Sequence, residues 1–251
     1  MAASIAMDSQ KIEISWHGHG RAPVIVLLHQ GLGCCALWKD FPDALARATG
    51  HRVFAYSRLG YGNSDPCPLP RKINFMHTEA RYILPRVLKA VGIQEYILWG
   101  HSDGASIGII HGGHGPPGLK GLILEAAHVF CEPVTLEGIT RAKIAYEQGN
   151  LRKKLYTYHG KNTETAFRGW CDTWLSPPFI HWNIEKYLPR IQVKTLALQG
   201  KEDPYGSVAQ LKTIEKRIPH CRAHHLPHCG HAPHREMPDR VIKGINGSIF
   251  T

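Results

Sequence analysis

The order of apolar segments predicts an α/β fold, a mostly parallel central sheet with helices on both faces. Two observations carry that expectation. Short runs of β-branched and apolar residues recur along the chain, Val24-Ile25-Val26-Leu27-Leu28 being the clearest. A strand buried on both faces of a parallel sheet reads as such a continuous run, whereas a half-exposed strand alternates. Longer stretches with helical spacing lie between the runs, and strand–helix–strand order means a parallel sheet covered on both sides.

Taken in order, Lys11 to Trp16 alternates polar and apolar residues, the pattern of a half-exposed strand. A turn at Gly18 to Gly20 leads into Val24–Leu28. Trp38 to Thr49 has helical spacing and ends at Gly50, a plausible cap. Strands are expected again at Arg52–Tyr56 and Tyr96–Trp99, separated by a helix from His77 to Val91 that Pro85 should kink. A helix over Ala105–Ile110 and strands at Leu119–Leu124 and Thr195–Leu198 follow. Ser207 to Arg217 reads as a helix stopped by Pro219, Arg222 to Leu226 as a short extended run, and Met237 to Phe250 as the last helix.

From about 130 to 190 no strong strand signal appears, and the segment is rich in aromatics such as Trp170, Trp174 and Trp182. A structureless loop of that length is improbable in a compact domain. The expected organisation is therefore a core of residues 1–129 and 191–251, with residues 130–190 inserted as a small helical cap.

Composition narrows the function classes. The formal charge is +10, yet the basic residues are scattered and no helix carries a basic stripe, so no nucleic-acid partner is expected. A basic rim would instead favour an anionic substrate. No apolar run approaches the roughly 20 residues of a membrane helix. The amino terminus lacks the basic start and apolar stretch of a secretory signal, which makes the cytoplasm the expected location. An odd count of seven cysteines, two of them adjacent at Cys34 and Cys35, argues against a disulfide framework. Seventeen histidines raise the question of a metal. The densest group, His224 to His234, contains no HExxH pattern and the chain has no paired CxxC, so neither metal nor cofactor is expected.

The chemistry is read from three short motifs. Gly100-His101-Ser102-Asp103-Gly104 follows an expected strand and precedes an expected helix, the setting in which a serine sits on a sharp, strained turn as a nucleophile. An activated serine needs a base, and the base a carboxylate that fixes its tautomer. His231, in a loop between an extended run and the last helix, is the expected base. Asp203, after the strand Thr195–Leu198, is the expected acid, with Glu125 at the end of Leu119–Leu124 as the alternative. Two backbone N–H groups must face the developing oxyanion. One is expected from Asp103, directly after the serine; the other from His29-Gln30-Gly31-Leu32-Gly33, at Gly31, or at Leu32 if Gln30 counts as an insertion.

Together with the Ser57-to-Asp65 run, which holds a Gly-Tyr-Gly-x-Ser turn, these motifs resemble the α/β-hydrolase superfamily along nearly the whole chain. Two features depart from the common pattern: Gln30 stands where Gly usually follows the loop His, and Ser57-Arg58 replaces the usual Asp. A narrower branch, with H-x-G-L-G, G-H-S-D-G and the Cys229-to-Glu236 motif, is similar to serine-dependent macrolide esterases. The resemblance implies hydrolysis of a small-molecule carboxylic ester or lactone, a macrocyclic lactone at its sharpest. Alternatives are a C–C bond hydrolase acting on a dienone acid and a non-catalytic receptor on the same fold; the intact Ser, His and Asp set argues against the receptor. Serine at position 102 argues against dehalogenase and epoxide hydrolase chemistry, which uses Asp there. The oligomeric state is left open.

Overall fold

The computed structural model of the chain describes residues 3–7, 9–246 and 249. Its elements are β1 (Ala3–Met7), β2 (Gln10–His17), β3 (Arg21–Leu28), α1 (Phe41–Thr49), β4 (His51–Tyr56), α2 (Phe75–Thr78), α3 (Leu84–Ala90), β5 (Tyr96–His101), α4 (Asp103–Gly112) and β6 (Leu119–Glu125). There follow α5 (Pro133–Glu147), α6 (Leu151–His159), α7 (Thr163–Trp174), β7 (Thr195–Gly200), α8 (Val208–Arg217), β8 (Cys221–Leu226), α9 (Pro233–Glu236) and α10 (Pro238–Asn246). The sheet has eight strands in the order β1-β2-β4-β3-β5-β6-β7-β8. β1 and β2 are antiparallel to their neighbours, and the pairs from β4 through β8 are parallel.

The continuous apolar runs are explained by the two faces they serve. Along β3, Val26 and Leu28 enter one core cluster while Ile25 and Leu27 enter the other; along β5, Leu98 and Trp99 divide in the same way. One face packs beneath α3, α4 and α8, the other beneath α1 and α10. Each fully buried aliphatic side chain of this kind contributes about 1.5–3 kcal/mol of transfer free energy, so a polar residue on either face of a central strand is costly. α4 is buried along its whole length, which places it at the centre of the molecule directly behind the strand it follows.

Several boundaries differ from the sequence reading. The hairpin strand β1 gave no clear pattern because most of it is exposed. The helix expected from Trp38 is two pieces: a 3₁₀ turn (Cys35–Trp38), then Lys39 in a left-handed conformation, then α1 with Pro42 in its first turn. The helix expected to kink at Pro85 is broken just before it, by a π-helical turn (Glu79–Ile83) that separates α2 from α3. Proline lacks the N–H that would continue the ladder, and the wider turn absorbs the mismatch. The last helix begins at Pro238; its expected end at Phe250 lies outside the described residues.

Between β6 and β7 the chain forms α5, α6, α7 and short 3₁₀ turns. Phe167, Trp174, Phe179 and Leu188 of this stretch share one apolar cluster with the sheet face beneath. Most of its aromatics are therefore packing residues, though Tyr156 remains 66% exposed. All seven cysteines are free. Among the described residues, no helix is long and apolar enough to cross a membrane, and no three His, Cys, Asp or Glu side chains gather as a metal set.

Candidate active site

Ser102 stands between β5 and α4 with φ 53° and ψ −116°. A non-glycine residue in that region stores strain of about 1–3 kcal/mol, so its surroundings must hold it there. They do: its N–H donates to Glu125 O at 2.8 Å, and its carbonyl accepts from Ala105 N–H and Ser106 N–H. The flanking glycines are required by contact. A Cβ on Gly100 would overlap the Gly104 backbone, and one on Gly104 would overlap the carbonyl of Leu28. The turn is thus packed between the start of α4 and the end of β3, with no room for a side chain at either glycine. The N–H of Asp103 opens α4, where a helix leaves its first donors without intrahelical partners.

Asp203 and His231 reach the same place from neighbouring strand ends. Asp203 follows β7, and His231 follows β8. His231 Nδ1–H donates to Asp203 Oδ1 at 2.8 Å, and Tyr205 N–H donates to the same oxygen at 2.9 Å. This fixes the proton on Nδ1 and leaves Nε2 as the basic nitrogen. Burial alone would raise the Asp203 pKa; the charge and hydrogen bond of His231 outweigh it and hold the carboxyl below its ordinary value. The Asp203 side chain is 1% exposed and that of His231 17%, so the acid is enclosed and the base faces open space.

Glu125 is engaged elsewhere. Its Oε1 accepts from His234 N–H at 2.6 Å and His234 Nδ1–H at 2.8 Å, and its Oε2 from Trp99 Nε1–H at 3.0 Å. Strand alternation on β6 turns Glu125 to the face of Trp99 and Ile123, so the carboxyl offered as an alternative partner for His231 pairs with His234 instead. Burial would raise its pKa, but the electrostatic attraction of the neighbouring His234 and the hydrogen bonds from His234 hold it down at about 2.

Two further groups hold the loop that carries His231. Glu236 accepts from Gly230 N–H at 2.6 Å and Ala232 N–H at 3.0 Å, bracketing the histidine on both sides. His101 Nε2–H donates to His231 O at 2.7 Å. Burial lowers the His101 pKa to about 3, keeping that ring neutral. None of these partners was identifiable as such from the sequence: Glu236 closes the Cys229-to-Glu236 motif and His101 sits inside the serine motif, but spacing does not reveal what each bonds.

Ser102, His101, His231 and Glu236 line a pocket of about 420 Å³, together with Gly31, Asp103, His128, Trp170 and Trp174. Gly31 and Leu32 occupy the centre of a turn closed by Gly33 N–H donating to Gln30 O at 3.1 Å. Trp170 lies so close over Gly31 that a Cβ there would overlap the indole, which accounts for glycine at this position rather than at Gln30. Asp103 turns its own carboxyl inward, with Oδ1 accepting from Trp174 Nε1–H at 3.1 Å and Oδ2 buried without a partner. Burial raises its pKa, against the opposing Arg58 charge and the Trp174 bond. His128 is buried beside His231 and Trp174; burial drives its pKa to about 3, so it lines the pocket as a neutral ring.

The chain that forms this strand-end pocket has matches among known proteins. A family model described as the α/β-hydrolase fold aligns with residues 23–185. The chain belongs to the α/β-hydrolase fold family. This α/β hydrolase is 26% identical to human serine hydrolase BPHL over 200 residues, 76% of this chain and 67% of that protein. It is 32% identical over 113 residues to the putative carbamate hydrolase RutD of Enterobacter cloacae, covering 45% of this chain and 41% of that relative. Among solved structures it superposes on a 2-hydroxy-6-oxo-6-phenylhexa-2,4-dienoate hydrolase from a Rhodococcus strain with a TM-score of 0.83 at 15% identity, covering 98% and 97% of the two chains. The enol-lactonase of Burkholderia xenovorans gives 0.75 at 16% identity, with 98% of each chain covered. Identities this low establish a shared architecture.

Proposed function

We propose that this α/β hydrolase is a serine hydrolase that cleaves a carboxylic ester or lactone through an acyl-enzyme. The observation that carries the reading is the Asp203–His231 hydrogen bond, which leaves the His231 Nε2 basic in the pocket that also holds the strained Ser102. Ser102 Oγ attacks the substrate carbonyl while His231 Nε2 takes its proton. Asp203 steadies the resulting imidazolium. The N–H groups of Gly31 and Asp103 receive the oxyanion. His231 returns the proton to the leaving alkoxide, then takes one from water as it attacks the acyl-enzyme, releasing the acid and restoring Ser102. No cofactor enters this cycle.

In the same reading, residues 130–190 form a cap over a core of residues 1–129 and 191–251, and the substrate is a small molecule of largely apolar surface. The pocket volume and the Trp170 and Trp174 walls suit such a ligand. Within the ester class, a macrocyclic lactone is the specific substrate we infer, on the strength of the H-x-G-L-G, G-H-S-D-G and Cys229-to-Glu236 motifs.

A fluorophosphonate probe tests the nucleophile. Wild-type protein should label at Ser102, and Ser102→Ala should not label at all; equal labelling of both sinks the proposal. A panel of simple esters, lactones, macrolide lactones and a dienone acid tests the bond. Turnover confined to the dienone acid would replace ester cleavage by C–C cleavage.

A further inference from the structure

Arg58 is a buried cation, 2% exposed, that forms no ion pair with a carboxylate among the described residues. A charge taken out of water is held only where strong partners replace the solvent. Its hydrogen-bond acceptors here are backbone carbonyls, and its guanidinium lies 5.0 Å from the centre of the Tyr61 ring. Arg58 Nη1–H donates to His29 O at 2.5 Å and Nη2–H to Gln30 O at 3.0 Å. Its own backbone N–H donates to His29 Nε2 at 3.1 Å, which forces the His29 proton onto Nδ1; that proton in turn goes to Gln30 O at 2.8 Å. With Gly33 N–H, the Gln30 carbonyl therefore accepts three hydrogen bonds, one of them from a guanidinium.

The Gln30 carbonyl and the Gly31 N–H belong to one peptide plane. In a trans peptide they point in opposite directions, and the Gln30–Gly31 bond is not among the cis bonds of the described chain. Three donors on the oxygen fix the plane and aim the Gly31 N–H away from them. They also polarise the amide, since hydrogen bonds through one peptide strengthen each other. The same cation acts electrostatically on Asp103, the residue of the second expected donor. Leu32 has no such clamp on the peptide that carries its N–H; the Leu32 carbonyl, bonded to His159 Nε2, belongs to the following peptide.

We propose that Arg58 is the positioning residue of the oxyanion hole: by clamping the carbonyls of His29 and Gln30 it aims and polarises the Gly31 N–H and sets a fixed positive charge behind the hole. This gives a role to the Ser57-Arg58 departure from the superfamily pattern. Ser57 holds the neighbouring turn through Cys35 N–H and Glu13, so the pair anchors two loops at once. The proposal rests on the Ser102 hydrolase reading.

The test compares wild type, Arg58→Met and Arg58→Lys on a simple ester, with thermal melting as a check on folding. Each is also titrated with a trifluoromethyl ketone, which forms an oxyanion on Ser102, and with the matching alcohol, which does not. Arg58→Met should lower kcat about 100-fold and weaken the ketone by the same factor, the scale of losing an oxyanion donor, while KM and the alcohol affinity stay unchanged. Arg58→Lys keeps the charge but not the paired bonds, and should lose about 10-fold by the same two readouts. If Arg58→Met does not fold, the Lys variant decides: a ketone-specific loss supports the proposal, and an equal loss for ketone and alcohol overturns it. A folded Arg58→Met with kcat within about threefold of wild type, well short of an oxyanion-donor loss, also overturns it. Wild type that fails to label with fluorophosphonate overturns the hydrolase reading itself, and this proposal with it.

Discussion

One carboxyl ends β6 and another follows the end of the neighbouring β7, and residue-level environment assigns them different work. Asp203 meets His231 with one oxygen and is otherwise enclosed. Glu125 is fully buried and spends its oxygens on His234 and Trp99. Asp203→Asn should therefore lower kcat by about 10⁴-fold, because the amide no longer selects the His231 tautomer, with little change in melting temperature. Glu125→Gln should do the reverse: activity falls far less, while weakening the hydrogen bonds that this buried carboxylate accepts costs about 1–3 kcal/mol of stability. Paired kcat and melting measurements on both variants check this, and a larger kcat loss for Glu125→Gln would move the acid role to that residue. At this scale the sequence named Ser102, His231 and Asp203 from motif and chain order. It was silent on which way Glu125 faces, since a strand's last side chain can turn to either side.

At the scale of elements, the site is a meeting of loops held by packing from outside the sheet. The His231 loop is bracketed by Glu236, and the Gly31 turn is pressed by Trp170 of α7. Gly31→Ala should lower kcat about 100-fold, since the methyl group must displace either the turn or the indole. Adding Trp170→Ala should return much of that loss, a non-additivity of the kind expected for residues in direct contact. Kinetics of the two single variants and the double variant measure it; strictly additive effects would show that Trp170 does not set the turn. The strand cores of this architecture were legible in the sequence because runs such as Val24–Leu28 serve two buried faces at once. The first hairpin strand, the Lys39 break and the π-helical turn were not, because exposure and backbone mismatch leave no periodic apolar mark.

Across the whole molecule, buried histidines set the response to acid. His29, His101, His111, His128 and His159 all have pKa values lowered by burial, His101 and His128 to about 3. In the unfolded chain they titrate near the ordinary value of about 6.5. Between these limits the unfolded state binds more protons, so stability is full above about pH 6.5 and is lost as pH falls toward the folded values. Glu125, held at about 2, adds a loss below its unfolded value of about 4.5, in the same direction. The melting temperature should hold from pH 8 to about 6.5 and then fall steeply. A flat profile down to about pH 4.5 would show that these rings gain a proton without cost to the fold.

What the sequence determined by itself was the class of fold and the residues proposed to react. Apolar periodicity is a local consequence of burial, and the serine motif is a local consequence of a turn too tight for side chains. What only the tertiary structure decided was the environment of those groups. The partner of Glu125, the Glu236 bracket and the guanidinium behind the Gly31 turn join residues between 6 and 109 positions apart. Hydrogen bonds across such separations depend on where strands end and which face each side chain takes, and no spacing along the chain records that.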